Sequence, residues 1–477
     1  MVFCHRYCGV IEEYRMKDRE QKTTDSLPVR LYKGLHYSVS VILFSFFWLK
    51  FRYGSFSDIV ITKAFRYDLY IVVFFAVLLY LFSRIYNAYL LGYTRIRQLA
   101  FSQFISQIFS TVIILAAVTV AWMKFRSPAV FFIMFLLDAV MDCLWAYSAS
   151  RLFYKLNPRK RAVIVFGGGS VECSRFDISG KPVERLITIE KEILCTEDNL
   201  PEVLTELRQY DVFFAVGISP DCLNTLTRYC VEEDAVGYFI PNVEEIIFQN
   251  AYHIQSFHEP VLAVTRKKNK LEYLIVKRTF DIAASLLGII LLSPFMLITA
   301  LAIKAYDGGP AIYRQKRLTV DNRVFTLYKF RSMRVDAEKD GKAVLSSGEK
   351  DSRITPIGKV IRSVRFDELP QLINILKGDM TIVGPRPERP EIAEEYYKTL
   401  PEFKLRLQVK AGLTGYAQVY GKYNTSPEQK LKFDLMYINS MSIFTDLKLM
   451  FATLGILFEK ESTEGVEKEQ QENRPGF

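Results

Sequence analysis

Four long apolar runs, roughly residues 35 to 51, 68 to 91, 102 to 123 and 128 to 150, fill the first third of the chain. Each approaches the ~20 residues a helix needs to cross a hydrocarbon layer ~30 Å thick. Four in succession predict a four-helix transmembrane bundle over 34–155, after a cytoplasmic segment 1–33. Beyond Lys160 the pattern shortens: "RAVIVFGGGS", "RLITIEKEI", "DVFFAVGIS" and "AVGYFIPN" read as strands between polar helical stretches. That alternation predicts an open α/β sheet, a Rossmann-like domain over 160–265. A fifth apolar run lies in "KRTFDIAASLLGIILLSPFMLITALAIKAYDGG", residues 277–309, with Ser293-Pro294 at its centre. Proline has no amide hydrogen and its ring collides with the carbonyl four residues back, here Ile290, so a bend is expected. The Ser293 hydroxyl can take up a carbonyl that the bend leaves unpaired.

Charge orients these runs. Arg15, Lys17, Arg19, Lys22, Arg30 and Lys33 precede the first, and Arg151, Lys155, Arg159, Lys160 and Arg161 follow the fourth, so an even number of spans has both ends in the cytoplasm. The N-terminus has no apolar core followed by a small-residue cleavage site, and is expected to stay in the cytosol. Around the fifth run, Lys277 and Arg278 stand before and Lys304, Arg314, Lys316 and Arg317 after. A re-entrant helix over 278–306, entering and leaving by one face, accounts for basic residues at both ends.

The whole chain carries 62 Lys and Arg against 52 Asp and Glu, with half its residues hydrophobic. Such a balance suits lipid headgroups, nucleic acid or phosphorylated ligands; of these, nucleic acid is the one not expected as a partner. Seven cysteines without a CxxC pair imply neither a disulfide framework nor a zinc site. No histidine falls in the C-terminal third, so a metal there needs oxygen ligands.

Two features admit a functional and a structural reading. Asp138 and Asp142 lie at i, i+4 in the fourth run, as a proton path in a transporter would place them, or as carboxylates hydrogen-bonded inside a bundle. Gly167 to Gly169 follow a strand as a dinucleotide fingerprint does, but Cys173 and Ser174 stand where the third glycine is expected. The middle domain is therefore read as non-catalytic.

The stretch "IRSVRFDELPQLINILKGDMTIVGPRP", residues 361–387, holds the candidate chemistry. Leu369, Leu372, Ile373 and Leu376 recur as one face of a helix. Pro370 suits its first turn and Gly378 the position after its end. Asp367 and Glu368 then sit at the helix N-terminus, where the dipole favours carboxylates and also phosphate. Simple capping explains two acids. Arg362, Arg365, Arg386, Lys329 and Arg331 around them instead suggest a clamp for a diphosphate, since guanidinium forks match phosphate oxygens in pairs.

The segments "YRQKRLTVDNRVFTLYKFRSM", "FDELPQLINILKGDMTIVGPRPE" and "KAGLTGYAQVYGKYNTSPEQKLKFDLMYI", together with the "SP" helix, resemble the bacterial sugar transferases known as polyprenol-phosphate phosphoglycosyl transferases. The resemblance covers about residues 270–460, and four spans with a degenerate Rossmann domain are similar to the large members of that family. It implies a mixed α/β catalytic domain that transfers a sugar 1-phosphate from a UDP-sugar to undecaprenyl phosphate in two steps, releasing UMP. Asp367 matches the nucleophile and Glu368 the Mg²⁺ ligand. Arg362, Arg386 and Lys329 match phosphate-binding or basic site positions, with Arg331, Gln315 and Arg317 as further substrate contacts. Ser293, Pro294, Pro385 and Pro387 match structural positions. Arg365 and Phe366 depart from the serine and aliphatic residue that many members carry there.

The implied setting is the cytoplasmic face of a bacterial inner membrane, at the first membrane step of exopolysaccharide, capsule or O-antigen synthesis. Glucose or galactose is the expected sugar and an N-acetylated sugar the alternative; a homodimer is compatible with this. A transporter or flippase using Asp138 and Asp142, and a nucleotide-dependent dehydratase using the middle domain, are the competing functions. Near the C-terminus, "SIFTDLKLMFATLGILFEKES" is expected as an interfacial helix with Phe444, Leu447, Met450, Phe451 and Leu454 toward lipid. Packing of that same face in a core is the alternative. Residues 461–477 are expected to be disordered.

Overall fold

The computed structural model describes residues 26–53, 64–122, 127–167, 182–254, 261–267, 269–334, 353–421 and 425–456. Gly168, Gly169, the tail 461–477 and the basic residues before Ser26 lie outside them, as do the side chains of Phe451 and Leu454. The described residues divide into two compact units, 26–242 and 243–456.

The first unit opens with helices α1 (Leu27–Tyr53), α2 (Ala64–Ile85), α3 (Ile96–Trp122) and α4 (Ala129–Leu156). All four contain stretches long and apolar enough to cross a membrane, and they pack on one another. Their outward residues, such as Val73, Val77, Phe132, Leu136 and Val140, are exposed and apolar. Their interior is layered. Phe44, Trp48, Phe75, Phe131 and Met134 form one apolar cluster. Leu91, Leu99, Trp145 and Phe153 form another. In sequence along α1, α3 and α4, the buried polar residues His36, Ser40, Gln107, Thr111, Asp138 and Asp142 fall between these two clusters.

Next come β1 (Lys160–Gly167), β2 (Ile187–Cys195), α5 (Leu200–Leu207), β3 (Val212–Val216), α6 (Pro220–Glu232) and β4 (Val236–Phe239). The four strands are parallel in the order β2-β1-β3-β4. Buried residues of β1 and β3 alternate between two apolar clusters, one on each face, as a sheet covered on both sides requires. A Cβ on Gly167 would lie 2.1 Å from the Gly217 carbonyl oxygen. Close strand approach is thus sufficient reason for that glycine, with no nucleotide invoked. The sheet ends at Phe239, and residues from Val243 join the second unit, so the expected middle domain is shorter than 160–265.

In the second unit, α7 (Val243–Phe248) and the hairpin β5 (Tyr252–Ile254) with β6 (Val261–Ala263) lead to the 37-residue helix α8 (Leu271–Asp307). The helix continues on both sides of Pro294. The Ile290 carbonyl, to which Pro294 cannot donate, accepts the Ser293 hydroxyl at 2.8 Å. After the hairpin β7 (Ile312–Leu318) with β8 (Val324–Phe330) come α9 (Pro356–Ser363), α10 (Gln371–Lys377), β9 (Thr381–Val383) and α11 (Pro390–Thr399). Then β10 (Gly412–Thr414) runs parallel to β9, followed by α12 (Tyr416–Tyr420), α13 (Pro427–Ser440) and α14 (Ile443–Ile456).

Polar tethers weld α8 to its unit. Lys277 donates to the Val383 carbonyl at 3.0 Å and Arg278 to the carbonyls of Ile375 and Leu376 at 2.6 and 2.8 Å. Asp281 accepts the Thr381 hydroxyl and the Ile382 amide. Toward its other end Met296, Ala300 and Ile303 pack with Phe330 and Ile361, and Asp307 pairs with Arg331.

Helix α14 modifies its expectation. Phe444 is exposed, as an interfacial face requires, but Leu449 is fully buried and Met450 packs against the core. Asp446 and Lys448 are buried. Asp446 accepts from Lys277 at 2.6 Å and from Tyr273 and Tyr437 at 2.8 Å each, so its charge is compensated inside the fold.

Candidate active site

Helix α9 starts at Thr355, whose side chain accepts from the Gly358 amide at 2.9 Å. It ends at Ser363, and Arg365 turns the chain with φ 54°, a left-handed conformation that costs a non-glycine residue roughly 1–2 kcal/mol. That turn sends Phe366 into the cluster with Ile303, Phe330 and Ile361 and sets Asp367 and Glu368 in a single 3₁₀ turn. The expected helix follows as the seven-residue α10, ending at Gly378 with φ 90°.

Its orientation differs from the apolar periodicity. Gln371, Asn374 and Ile375 are buried, whereas Ile373 is 39% exposed and Leu372 sits against Gly288 of α8. The reason is the β-hairpin: Asn374 donates to the Thr326 carbonyl at 2.7 Å and accepts the Tyr328 amide at 3.0 Å, pairing backbone groups of β8 that would otherwise be unmatched. A polar side chain therefore faces inward and the leucine face turns toward α8.

Around the two acids the cations divide unequally. Glu368 Oε1 receives Lys329 Nζ at 3.2 Å and Arg386 Nη2 at 3.1 Å. Burial would raise its pKa, but Lys329, Arg386 and Arg365 outweigh that and hold it well below the ordinary carboxylate range. Asp367 is half-buried and makes no hydrogen bond or ion pair with the described residues. Burial, then repulsion from Glu368, raises its pKa; Lys329, Arg362 and Arg386 oppose the rise. Lys329 and Arg365 are themselves lowered by burial, with Glu368 pulling the other way. One carboxylate is thus a fixed anion inside a cationic ring, and its neighbour has no partner.

Gly384-Pro385-Arg386-Pro387-Glu388 is held by its carbonyls. Two prolines remove backbone donors, and four consecutive oxygens are taken from outside. Pro385 accepts the Gly412 amide at 2.8 Å, Arg386 accepts Arg406 Nη2 at 2.7 Å, Pro387 accepts Arg317 Nη1 at 3.0 Å, and Glu388 accepts the Leu318 amide at 3.0 Å. The Arg386 guanidinium is thereby presented from an anchored loop.

Of the expected site residues, Asp367, Glu368, Arg362, Arg386 and Lys329 are brought together. Gln315 and Arg317 act on the loop: Gln315 Oε1 accepts from Arg317 Nε at 3.0 Å, and Arg317 holds Pro387. Arg331 is elsewhere, buried and paired with Asp307 beneath Gly309. Sequence reasoning missed the group behind the loop. Arg406 Nη2 lies 2.8 Å from Asp434 Oδ2, and Glu388 lies 3.6 to 3.9 Å from Lys430, Arg406 and Arg317. Burial pushes Asp434 up to about 6 despite Arg406. Glu388, directly after Pro-Arg-Pro, was the available signal. Arg406 and Asp434 are distant in sequence and share no pattern with it.

Among the described residues no three His, Cys, Asp or Glu side chains form a metal-binding group. Asp367 and Glu368 offer carboxylate oxygens alone, which suits Mg²⁺ if substrate phosphates and water complete its shell, the usual arrangement for that ion.

A model of the family described as bacterial sugar transferase matches residues 272–460. The galactosyl transferase CpsE of Streptococcus agalactiae serotype III is 40% identical over 238 residues, 47% of this chain and 52% of that protein. The UDP-N-acetylgalactosamine-undecaprenyl-phosphate N-acetylgalactosaminephosphotransferase of Aeromonas hydrophila is 40% identical over 185 residues, 38% of this chain and 43% of that protein. The UDP-glucose:undecaprenyl-phosphate glucose-1-phosphate transferase of Caulobacter vibrioides is 38% identical over 186 residues, 38% of this chain and 69% of that protein. The match spans about half the length of the first two.

Proposed function

We propose, from the premise that this chain belongs to the bacterial sugar transferase family, that it moves a sugar 1-phosphate from a UDP-sugar to undecaprenyl phosphate through a covalent bond to Asp367. In the first step an Asp367 carboxylate oxygen attacks the β-phosphorus. The bond between that phosphorus and the bridging oxygen breaks, and UMP leaves with the electron pair. In the second, a phosphate oxygen of the polyprenyl phosphate attacks the same phosphorus and the carboxylate leaves. An ionised carboxylate needs no general base for either attack.

The observation that carries this reading is the division of labour between adjacent acids. Lys329 and Arg386 are engaged by Glu368, while Asp367 has no hydrogen-bond or ion-pair partner among the described residues. In this reading Arg386 and Arg362 meet diphosphate oxygens, and the anchored loop keeps Arg386 in place as charge develops. Glu368 is the group that would hold Mg²⁺, which would supply charge neutralisation on the diphosphate when bound.

For the lipid substrate the same reading has α8 dip into one leaflet and return, with the active site at the cytoplasmic face of the bacterial inner membrane. Contacts to a single unit along its length support this, from Lys277 and Asp281 through Gly288 to Ile303 and Asp307. Leu287, Ile290, Leu291, Phe295 and Ile298 remain exposed for lipid. The relatives are named for galactose, glucose and N-acetylgalactosamine. Of these we take UDP-glucose or UDP-galactose as donor and the N-acetylated sugar as the alternative.

Exchange of labelled UMP into UDP-sugar without any lipid acceptor tests the reading. The full chain is expected to catalyse exchange and Asp367→Asn to lose it. Formation of product with acceptor present, but no exchange without it, contradicts a two-step path.

A further inference from the structure

The polar layer inside the four N-terminal helices contains none of the residues assigned above to the transfer chemistry. It contains two carboxylates, and among the described residues no Lys or Arg is paired with either. His36 Nε2 lies 3.0 Å from Asp142 Oδ1, with the other ring nitrogen 3.0 Å from the Tyr89 hydroxyl. The Gln107 amide nitrogen donates to the same Asp142 oxygen at 3.3 Å and to Ser40 Oγ at 3.2 Å. These donors all spend themselves on one oxygen of Asp142 or on a neutral neighbour.

What is left is a set of oxygens. Asp142 Oδ2, Asp138 Oδ1, Gln107 Oε1 and Thr111 Oγ1 are buried and have no hydrogen-bond partner among the described residues. Their residues are at most 2% exposed. Helix geometry brings them to one place. Asp138 and Asp142 share a face of α4, Gln107 and Thr111 share a face of α3, and the two helices pack together across a short connection. The connection makes them antiparallel, so contact between Gln107 and Asp142 sets Thr111, one turn on, opposite Asp138, one turn back. The layer is closed by Phe44, Phe131 and Met134 on one side and by Trp145 on the other.

Unmatched acceptors in an apolar surround are costly, and two carboxylates more so. A set with two carboxylate oxygens, an amide oxygen and a hydroxyl has the hard, all-oxygen character that main-group cations select, without the cysteine or multiple imidazoles that transition metals favour. We propose that this layer binds one alkali-metal cation, with Asp138, Asp142, Gln107 and Thr111 as its protein ligands, as a structural ion of the membrane helices.

The test uses the full chain in phospholipid nanodiscs. Its thermal unfolding is followed in sodium, potassium or choline chloride at equal ionic strength, with millimolar Mg²⁺ or Ca²⁺ in separate arms. A ligand that binds only the folded state raises Tm saturably. Sodium or potassium is expected to raise the midpoint by several degrees over choline. Thr111→Val should shift the half-saturating concentration upward about tenfold, and Asp138→Asn should abolish the response, both retaining UMP release. Three results overturn the proposal: equal Tm in all three chlorides, a response to Mg²⁺ or Ca²⁺ alone, or Asp138→Asn more stable than the parent in every salt. The last would assign the carboxyl a proton instead.

Discussion

Two pairs of acidic residues carry the competing functional readings of this chain, and their surroundings separate them. Asp367 and Glu368 are adjacent, and cations stand around both. Glu368 is paired with Lys329 and Arg386, and Asp367 makes no ion pair among the described residues. Asp138 and Asp142 are one helical turn apart, and around them are a histidine, one amide and hydroxyls. The first environment stabilises an anion and the approach of a diphosphate; the second stabilises neither without a counterion. The residue type is thus a poor guide to chemistry, and the sign and number of the neighbours decide.

The largest effect that could break this contrast is at the nucleophile. Asp367→Asn is expected to lower UMP release by at least about 10³-fold, measured with saturating UDP-sugar and acceptor, whereas Asp138→Asn should leave it unchanged. Similar losses from both would refute the assignment. Next is the cationic ring: Arg386→Ala should reduce kcat/KM by about 10²-fold. Arg406→Gln, which loosens the Arg386 carbonyl and leaves its guanidinium in place, should cost about tenfold at most. An Arg406→Gln loss equal to that of Arg386→Ala would show that the loop anchor, and not the guanidinium, dominates.

Stability sharpens the same point. Asp446→Ala strands Lys277, which is 11% exposed at its side chain, in a buried site. Removing one partner of such a pair costs about 3–5 kcal/mol, read as a lower unfolding midpoint of the full chain. Asp446→Asn, which keeps hydrogen bonds for Tyr273 and Tyr437, should cost less.

The smallest effect is on pH dependence. Asp367 must be ionised to attack, and burial with Glu368 beside it raises its pKa. The rate should therefore fall with acidification at a pH above the ordinary aspartate value of about 4. Glu368→Gln removes a like charge, and the acid limb of its residual rate should move downward. An upward move would contradict the repulsion assigned to Glu368.

Much of this was legible in the sequence where one physical rule dominated. Hydropathy located the four helices, and strand alternation located the parallel sheet. Proline chemistry even named the Ile290 carbonyl, which the Ser293 hydroxyl takes. Rules failed where tertiary demand overrode local pattern. Leucine periodicity found α10 but not its inward face, because Asn374 is needed against β8. Charge placed Arg331 with the other cations, although Asp307 claims it. Arg406 and Asp434 were invisible, since only the fold brings them behind Arg386.

The central claim is a phosphorus bond at one carboxylate. Intact-mass measurement of the full chain, quenched after mixing with UDP-sugar in the absence of acceptor, tests it most directly. The account predicts a mass increase of one sugar phosphate that maps to the peptide containing Asp367 and disappears on adding polyprenyl phosphate. Continued UMP release with unmodified protein, or an adduct mapped to another residue, would contradict it.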